Sequence, residues 1–155
     1  MLQWLEGHKG RVSLSHMTGI GFDKTRRYVI GLGCERGTPE GEVQELAIAA
    51  LAAAGIDAGT LAAVASIDTR SNEYAILGVA RHLGVPLLFF AAARLEEETS
   101  RLKNPSAIVF ARVGCHGVAE SAALAAIGTH AELVVPKIKS RRATAAIACA
   151  LLQKD

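Results

Sequence analysis

The sequence is poor in several things at once. It has three cysteines, Cys34, Cys115 and Cys149, an odd and dispersed set without C-x-x-C spacing. That excludes a disulfide framework and points to a reducing, cytoplasmic setting. Aromatic residues make up 5% of the chain, too few to interleave with basic residues as a nucleic-acid stacking surface requires. Lys and Arg number 17 against 15 Asp and Glu, a net charge of +2, so charge can cluster locally but does not mark a dedicated nucleic-acid binder. No run approaches the roughly 18 apolar residues of a membrane span. Met1 to Arg11, with Trp4, Glu6, His8 and Lys9, lacks the apolar stretch of a secretory signal. The five histidines are scattered without H-x-x-x-H spacing, so neither a metal site nor a cofactor is expected. Nucleic acid and membrane are likewise not expected partners. What remains is a chain of 155 residues, 50% hydrophobic, with mean hydropathy +0.27. That length and composition describe one ordered domain able to bury its own core.

Residues 1–27 carry no period of 2 or 3.6 and read as a poorly ordered N-terminal extension; residues 28–155 read as a single domain. Tyr28 to Leu32 is a short apolar run of strand formers. After a glycine-rich loop, Thr38 and Pro39 predict a helix start, threonine as N-cap and proline in the first helical position. Val43, Leu46, Ala47, Ala50, Leu51 and Ala54 then fall on one helical face, and Gly55 ends it. Leu61 to Ile67 reads as a second strand, Asn72 to Leu83 as a helix, and Pro86 to Phe90 as an apolar and therefore central strand. Ala93 to Leu102 reads as a helix with a polar face, and Asn104-Pro105-Ser106 opens another that runs to Val113. An alanine-rich helix follows over Val118 to Ile127. Glu132 to Ile138 and Ala143 to Cys149 close the chain as a hairpin. Strands alternating with helices define the fold class: a three-layer α/β/α domain with a mixed, mainly parallel five-stranded sheet ending in a β-hairpin. The abundance of alanine predicts helices packed close to the sheet.

Three groups of residues could carry chemistry. Gly31 to Gly37 lies between the first strand and first helix, at the sheet edge where α/β proteins bind ligands. Its spacing is G-x-G-x-x-x-G, not the dinucleotide pattern, and Glu40 and Glu42 at the helix start oppose a pyrophosphate. A turn forced by geometry and a site for another ligand both remain open. Cys34, ahead of a helix and near Arg36, is placed to favour a thiolate and so a nucleophile; a small buried side chain is the plainer alternative. Cys115-His116 needs partners from elsewhere to become a dyad. Lys137 and Lys139 share a strand face by the period of two, with Arg141 and Arg142 at the hairpin tip. If that strand runs parallel to the first, Arg36, Arg70, Lys137 and Lys139 ring one cleft suited to a polycarboxylate. A solvated hairpin tip is the alternative.

The order of motifs resembles the CobE/CbiG C-terminal domain family. Ile30 to Pro39 (IGLGCERGTP) is similar to the family's opening signature, and Ser66-Ile67-Asp68 to its motif after the second strand. Leu83 to Leu87 with Phe89-Phe90, Asn104-Pro105-Ser106, Gly117 to Ala123, and Val135 to Ser140 with Ala143 to Ala148 follow in family order. The resemblance spans Tyr28 to Ala150 and implies a role in cobalamin biosynthesis, in the steps that form the corrin ring. It implies as ligand a precorrin-type tetrapyrrole, flat and fringed with acetate and propionate arms, and as further partners other enzymes of that pathway. Glu35 stands where the family often has arginine; Cys115-His116 and Arg141-Arg142 also depart from its pattern.

By the same resemblance Gly33, Arg36, Gly37, Asn104, Ser106, Lys137, Lys139, Ser140 and Thr144 are ligand-binding candidates. Cys34, Thr38, Asp68 and Glu120 are catalytic candidates, with Cys34 or Thr38 as nucleophile and Asp68 or Glu120 as base. Three roles follow. The chain binds a precorrin; or it is a hydrolase of the kind that opens the ring-A lactone of cobalt-precorrin-5A; or it is a non-catalytic docking subunit of a pathway enzyme.

Overall fold

The computed structural model describes residues 2–3 and 26–151. The expected extension over 1–27 otherwise lies outside the described residues. Strands are β1 (Leu2–Gln3), β2 (Tyr28–Cys34), β3 (Leu61–Ile67), β4 (Leu87–Phe90), β5 (Ala131–Lys139) and β6 (Ala143–Ala150). Helices are α1 (Glu40–Ala54), α2 (Tyr74–Leu83), α3 (Ala92–Glu96), α4 (Ala107–Val113) and α5 (Ala119–Ile127). The five expected strands form one mixed sheet, extended by the two-residue β1, in the order β1-β4-β3-β2-β6-β5. β2, β3 and β4 are parallel, β6 runs against β2, and β5 runs against β6. β5 therefore points the same way as β2, and the carboxyl ends of both meet at one edge.

Alternation along β2 assigns the two faces. Ile30 and Leu32 face α1 and α2, burying against Val43, Leu46, Ala47, Ile76 and Val79. Val29 faces the opposite layer, with Ala122, Ala123, Leu124 and Leu95. α5 is buried at all nine residues, five of them alanine. A β-carbon on Gly31 would overlap the carbonyl oxygen of Ala119, so the glycine there admits the helix backbone onto the sheet. α1 ends at Gly55, which adopts φ 71° and turns its N–H back to Ala52 and Leu51.

Several local expectations are corrected. β2 continues through Gly33 and Cys34, because both pair with β6, opposite Thr144 and Ala143; they are strand residues, not loop. α1 starts at Glu40 with Pro39 in the cap position. Thr38 does not cap it: its hydroxyl donates to the Glu35 carbonyl at 2.6 Å and closes the preceding turn. β4 is not central but the outermost parallel strand; its apolar run reflects burial on both faces, which periodicity cannot distinguish from a central place. The expected helix over Ala93 to Leu102 breaks into α3 and a short 3-10 turn, Thr99–Arg101. Glu98 is drawn inward there, 6% exposed, to pair with Arg94 at 2.7 Å and Arg101 at 2.5 Å. Among the described residues no helix is long and apolar enough to cross a membrane.

Candidate functional site

β5 runs with β2, so the β5–β6 hairpin tip lies at the carboxyl edge of the parallel strands, where β6 starts opposite Cys34. A cleft of about 580 Å³ opens there, within the range that holds small organic ligands. Gly33, Ile67, Val118 and Thr144 line it from the sheet and the start of α5. α4 contributes Ile108, Val109, Arg112 and Val113. The β5–β6 hairpin contributes Lys137, Lys139, Arg141 and Arg142, and the loops after β2 and β3 add Arg36 and Arg70. Against these seven cations the lining holds a single carboxylate, Glu35. On a chain of net charge +2, that is a strong local concentration of positive charge, and a cleft focuses it.

The supports of this edge are specific. Arg70 Nε donates to the Cys34 carbonyl at 2.8 Å, tying the loop after β3 to the end of β2. Glu42, in the first turn of α1, accepts from the Ser140 hydroxyl and from the Arg142 N–H at 2.6 Å. Those donors, with the arginines nearby, hold its carboxyl below the usual range. The Ser140 oxygen also accepts from Ala143 N–H at 3.1 Å, so this side chain is spent on shaping the turn although it lines the cleft. Four residues of β5, Val135 to Ile138, span the same stretch as three of β6, Ile147 to Ala145. The Lys137 N–H at this bulge donates to Glu120 at 2.8 Å.

Glu120 is 2% exposed and accepts four hydrogen bonds. Oε1 takes the N–H groups of Lys103 (2.9 Å) and Asn104 (3.0 Å); Oε2 takes Asn104 Nδ2 (2.9 Å) and Lys137 N–H. Burial pushes its pKa up, but these donors outweigh it and hold the carboxylate below the usual range. The group thus fastens the Asn104 loop to β5.

The candidates divide clearly. Gly33, Cys34, Arg36, Ser106, Lys137, Lys139, Ser140 and Thr144 come together in the cleft lining. Gly37, Thr38, Asp68, Asn104 and Glu120 are not among its lining residues. Gly37 N–H is given to Glu73 at 3.0 Å, Asp68 is exposed beyond β3, and Asn104 is held by Glu120, its carbonyl 3.5 Å from Lys137 Nζ. Burial, then the charge of Glu73, push the Cys34 thiol up to about 11, and Arg70 compensates only in part; that favours the plainer alternative of a small half-buried side chain over a thiolate nucleophile. Cys115 is buried, its thiol also raised by burial. His116 turns away to Glu96, Nδ1 to Oε2 at 2.8 Å, so the two form no dyad. Among the described residues no group of three or more His, Cys, Asp or Glu could hold a metal ion.

The α4 wall was missed from sequence. Its helix is legible, but its role is not; the available signal is a short helix apolar on nearly every side, with Arg112 its one polar side chain.

Fold and cleft together define an α/β domain with a cation-lined cleft at the carboxyl edge of a mixed sheet. The chain belongs to the family described as cobalamin synthesis G C-terminus, whose model matches residues 28–148, and is thereby a protein of cobalamin biosynthesis. It is 59% identical over 120 residues to Protein CobE from Sinorhizobium, covering 77% of this chain and 78% of that one. It is 29% identical over 126 residues to the cobalt-precorrin-5A hydrolase of Priestia megaterium, but spans only 32% of that protein. Among solved structures, CobE from the vitamin B12 pathway matches with TM-score 0.76 and 34% identity, over 81% of this chain and 95% of that one. The cobalamin biosynthesis protein chiG of Agrobacterium tumefaciens matches with TM-score 0.62 and 28% identity, over 79% and 98%.

Proposed function

We propose that the chain binds a polycarboxylate precorrin-type tetrapyrrole in the cleft and holds it for other enzymes of corrin-ring formation, in the cytoplasm. The observation that carries this reading is the mixed lining: cations of the hairpin and the strand-end loops together with the apolar side chains of α4, Val118 and Ile67. A flat ring with charged arms needs both, because arginine and lysine pair with carboxylates while the ring gains only by leaving water.

Binding is favoured over hydrolysis by the state of the catalytic candidates. The Cys34 thiol is raised to about 11, the Thr38 hydroxyl is committed to the Glu35 carbonyl, and Glu120 has four donors and no free face towards the cleft. Likeness to the hydrolase covers a minor part of that protein, and its activity is carried here only as the alternative that the test must exclude.

The test is a titration of the purified protein with precorrin-type intermediates, followed by tetrapyrrole absorbance and by the mass of the recovered ligand. Saturable binding with unchanged mass is expected. A changed mass would make the chain an enzyme, and no binding would overturn the reading in favour of a docking subunit.

A further inference from the structure

α4 touches the core only through Val113, half-buried against the cluster beneath α5. Six of its seven residues are apolar, yet none is buried; Ile108 is 68% exposed and Phe110 45%. An amphipathic helix ordinarily submerges its apolar stripe. Here the stripe faces the cleft: Ile108, Val109, Arg112 and Val113 recur at helical spacing on one side, and all four line it. Phe110 points elsewhere and stacks on the His116 ring, centroids 4.4 Å apart. His116 in turn is gripped by Glu96, and its carbonyl accepts the Ser106 N–H at 2.7 Å. The helix is anchored through Phe110 and His116, and its apolar side chains line the same cleft as the basic hairpin.

We propose that this face of α4 is the specificity wall of the site: Ile108, Val109 and Val113 cover one face of the bound macrocycle, and Arg112 beside them takes one of its carboxylates. The inference rests on the tetrapyrrole reading and adds to it the way the ligand is selected. A small acyclic polycarboxylate satisfies the cations and leaves Ile108 in water. A macrocycle satisfies the cations and also removes the α4 face from water, so only the second gains from this wall.

The test uses uroporphyrin III, a stable macrocycle with peripheral carboxylates, followed by fluorescence, with butanetetracarboxylate as an acyclic competitor. Ile108→Asn should weaken uroporphyrin binding about tenfold and leave the inhibition constant of butanetetracarboxylate unchanged. Ile108→Leu should restore the macrocycle affinity. Lys139→Ala should weaken both ligands. Ile108 is exposed, so the fold is not at stake, and an unchanged melting temperature checks this. Uroporphyrin binding unaffected by Ile108→Asn, or equal losses for both ligands, would overturn the role of α4 while leaving the tetrapyrrole reading intact. No uroporphyrin binding by the wild-type protein would overturn both.

Discussion

Replacing Glu120 by glutamine tests whether this buried carboxylate is the clamp of the site. The side chain is 2% exposed, and its two oxygens share four donors. Glutamine keeps one oxygen, which can retain two of them. Its amide group then faces the other two, donor against donor. Each bond lost was made to a charged acceptor, and each donor left behind is shielded from water, a loss of about 1.5–2 kcal/mol apiece. The sum is about 3–4 kcal/mol. For a domain of this length that lowers Tm by roughly 10 °C, measured by circular dichroism at pH 7. The pH dependence has a definite sign. The carboxyl titrates below the ordinary glutamate range in the folded protein, so its stabilisation is fully present above the unfolded pKa and is lost as pH falls through the folded one. The gap between wild type and Glu120→Gln should therefore close on going from pH 5 to acid. Whichever oxygen is replaced, one pair of donors loses its anchor, Lys103 N–H with Asn104 N–H or Asn104 Nδ2 with Lys137 N–H, so tetrapyrrole affinity should fall with stability. A melting temperature within about 2 °C of wild type, or a gap independent of pH, would refute the clamp.

Three further outcomes are expected. Gly31→Ala, whose new methyl would meet the Ala119 carbonyl oxygen, should cost about 2–3 kcal/mol, read as a lower urea midpoint; no shift would show that α5 is not seated on β2 as described. Arg141→Glu with Arg142→Glu, both exposed at the hairpin tip, should weaken uroporphyrin binding by about tenfold or more at low salt and by less at high salt, with Tm unchanged; a loss independent of salt counts against charge pairing. With its pKa near 11, Cys34 should be about one part in a thousand thiolate at pH 8. Its alkylation by iodoacetamide, mapped by peptide mass, should be slow at neutral pH and accelerate up to pH 10; fast labelling at pH 7 would restore the nucleophile reading.

The domain was legible because its elements carry their signals locally. Apolar faces at helical spacing in α1, strand formers in β2 and β3, and the closing hairpin all report which side is buried, and burial is a property of short windows. Lys137 and Lys139 could be placed on one face by the period of two, and both reach the cleft. The motif order from Ile30 to Ala148 carried the family, which the match over residues 28–148 bears out.

What a polar residue does is a different matter. Thr38, Glu120 and Asn104 sit in motifs of the site, yet they spend their hydrogen bonds on backbone or on one another, outside the cleft lining. Glu120 and Lys137 are 17 positions apart and Arg142 and Glu42 100 apart, distances over which no periodicity speaks. Only the tertiary structure decides whether such a group meets a ligand or a partner. It also decides the state of Cys34, since burial and Glu73 act through space, and it turns α4 from an ordinary helix into a wall. The sequence by itself determined the layers, the sheet and the family, because those follow from local burial patterns and motif order. Chain crossings determined the site: β5, running with β2, brings the basic hairpin to the carboxyl edge, where it lines one cleft with α4 and the strand-end loops and seven cations gather in a chain that is nearly neutral.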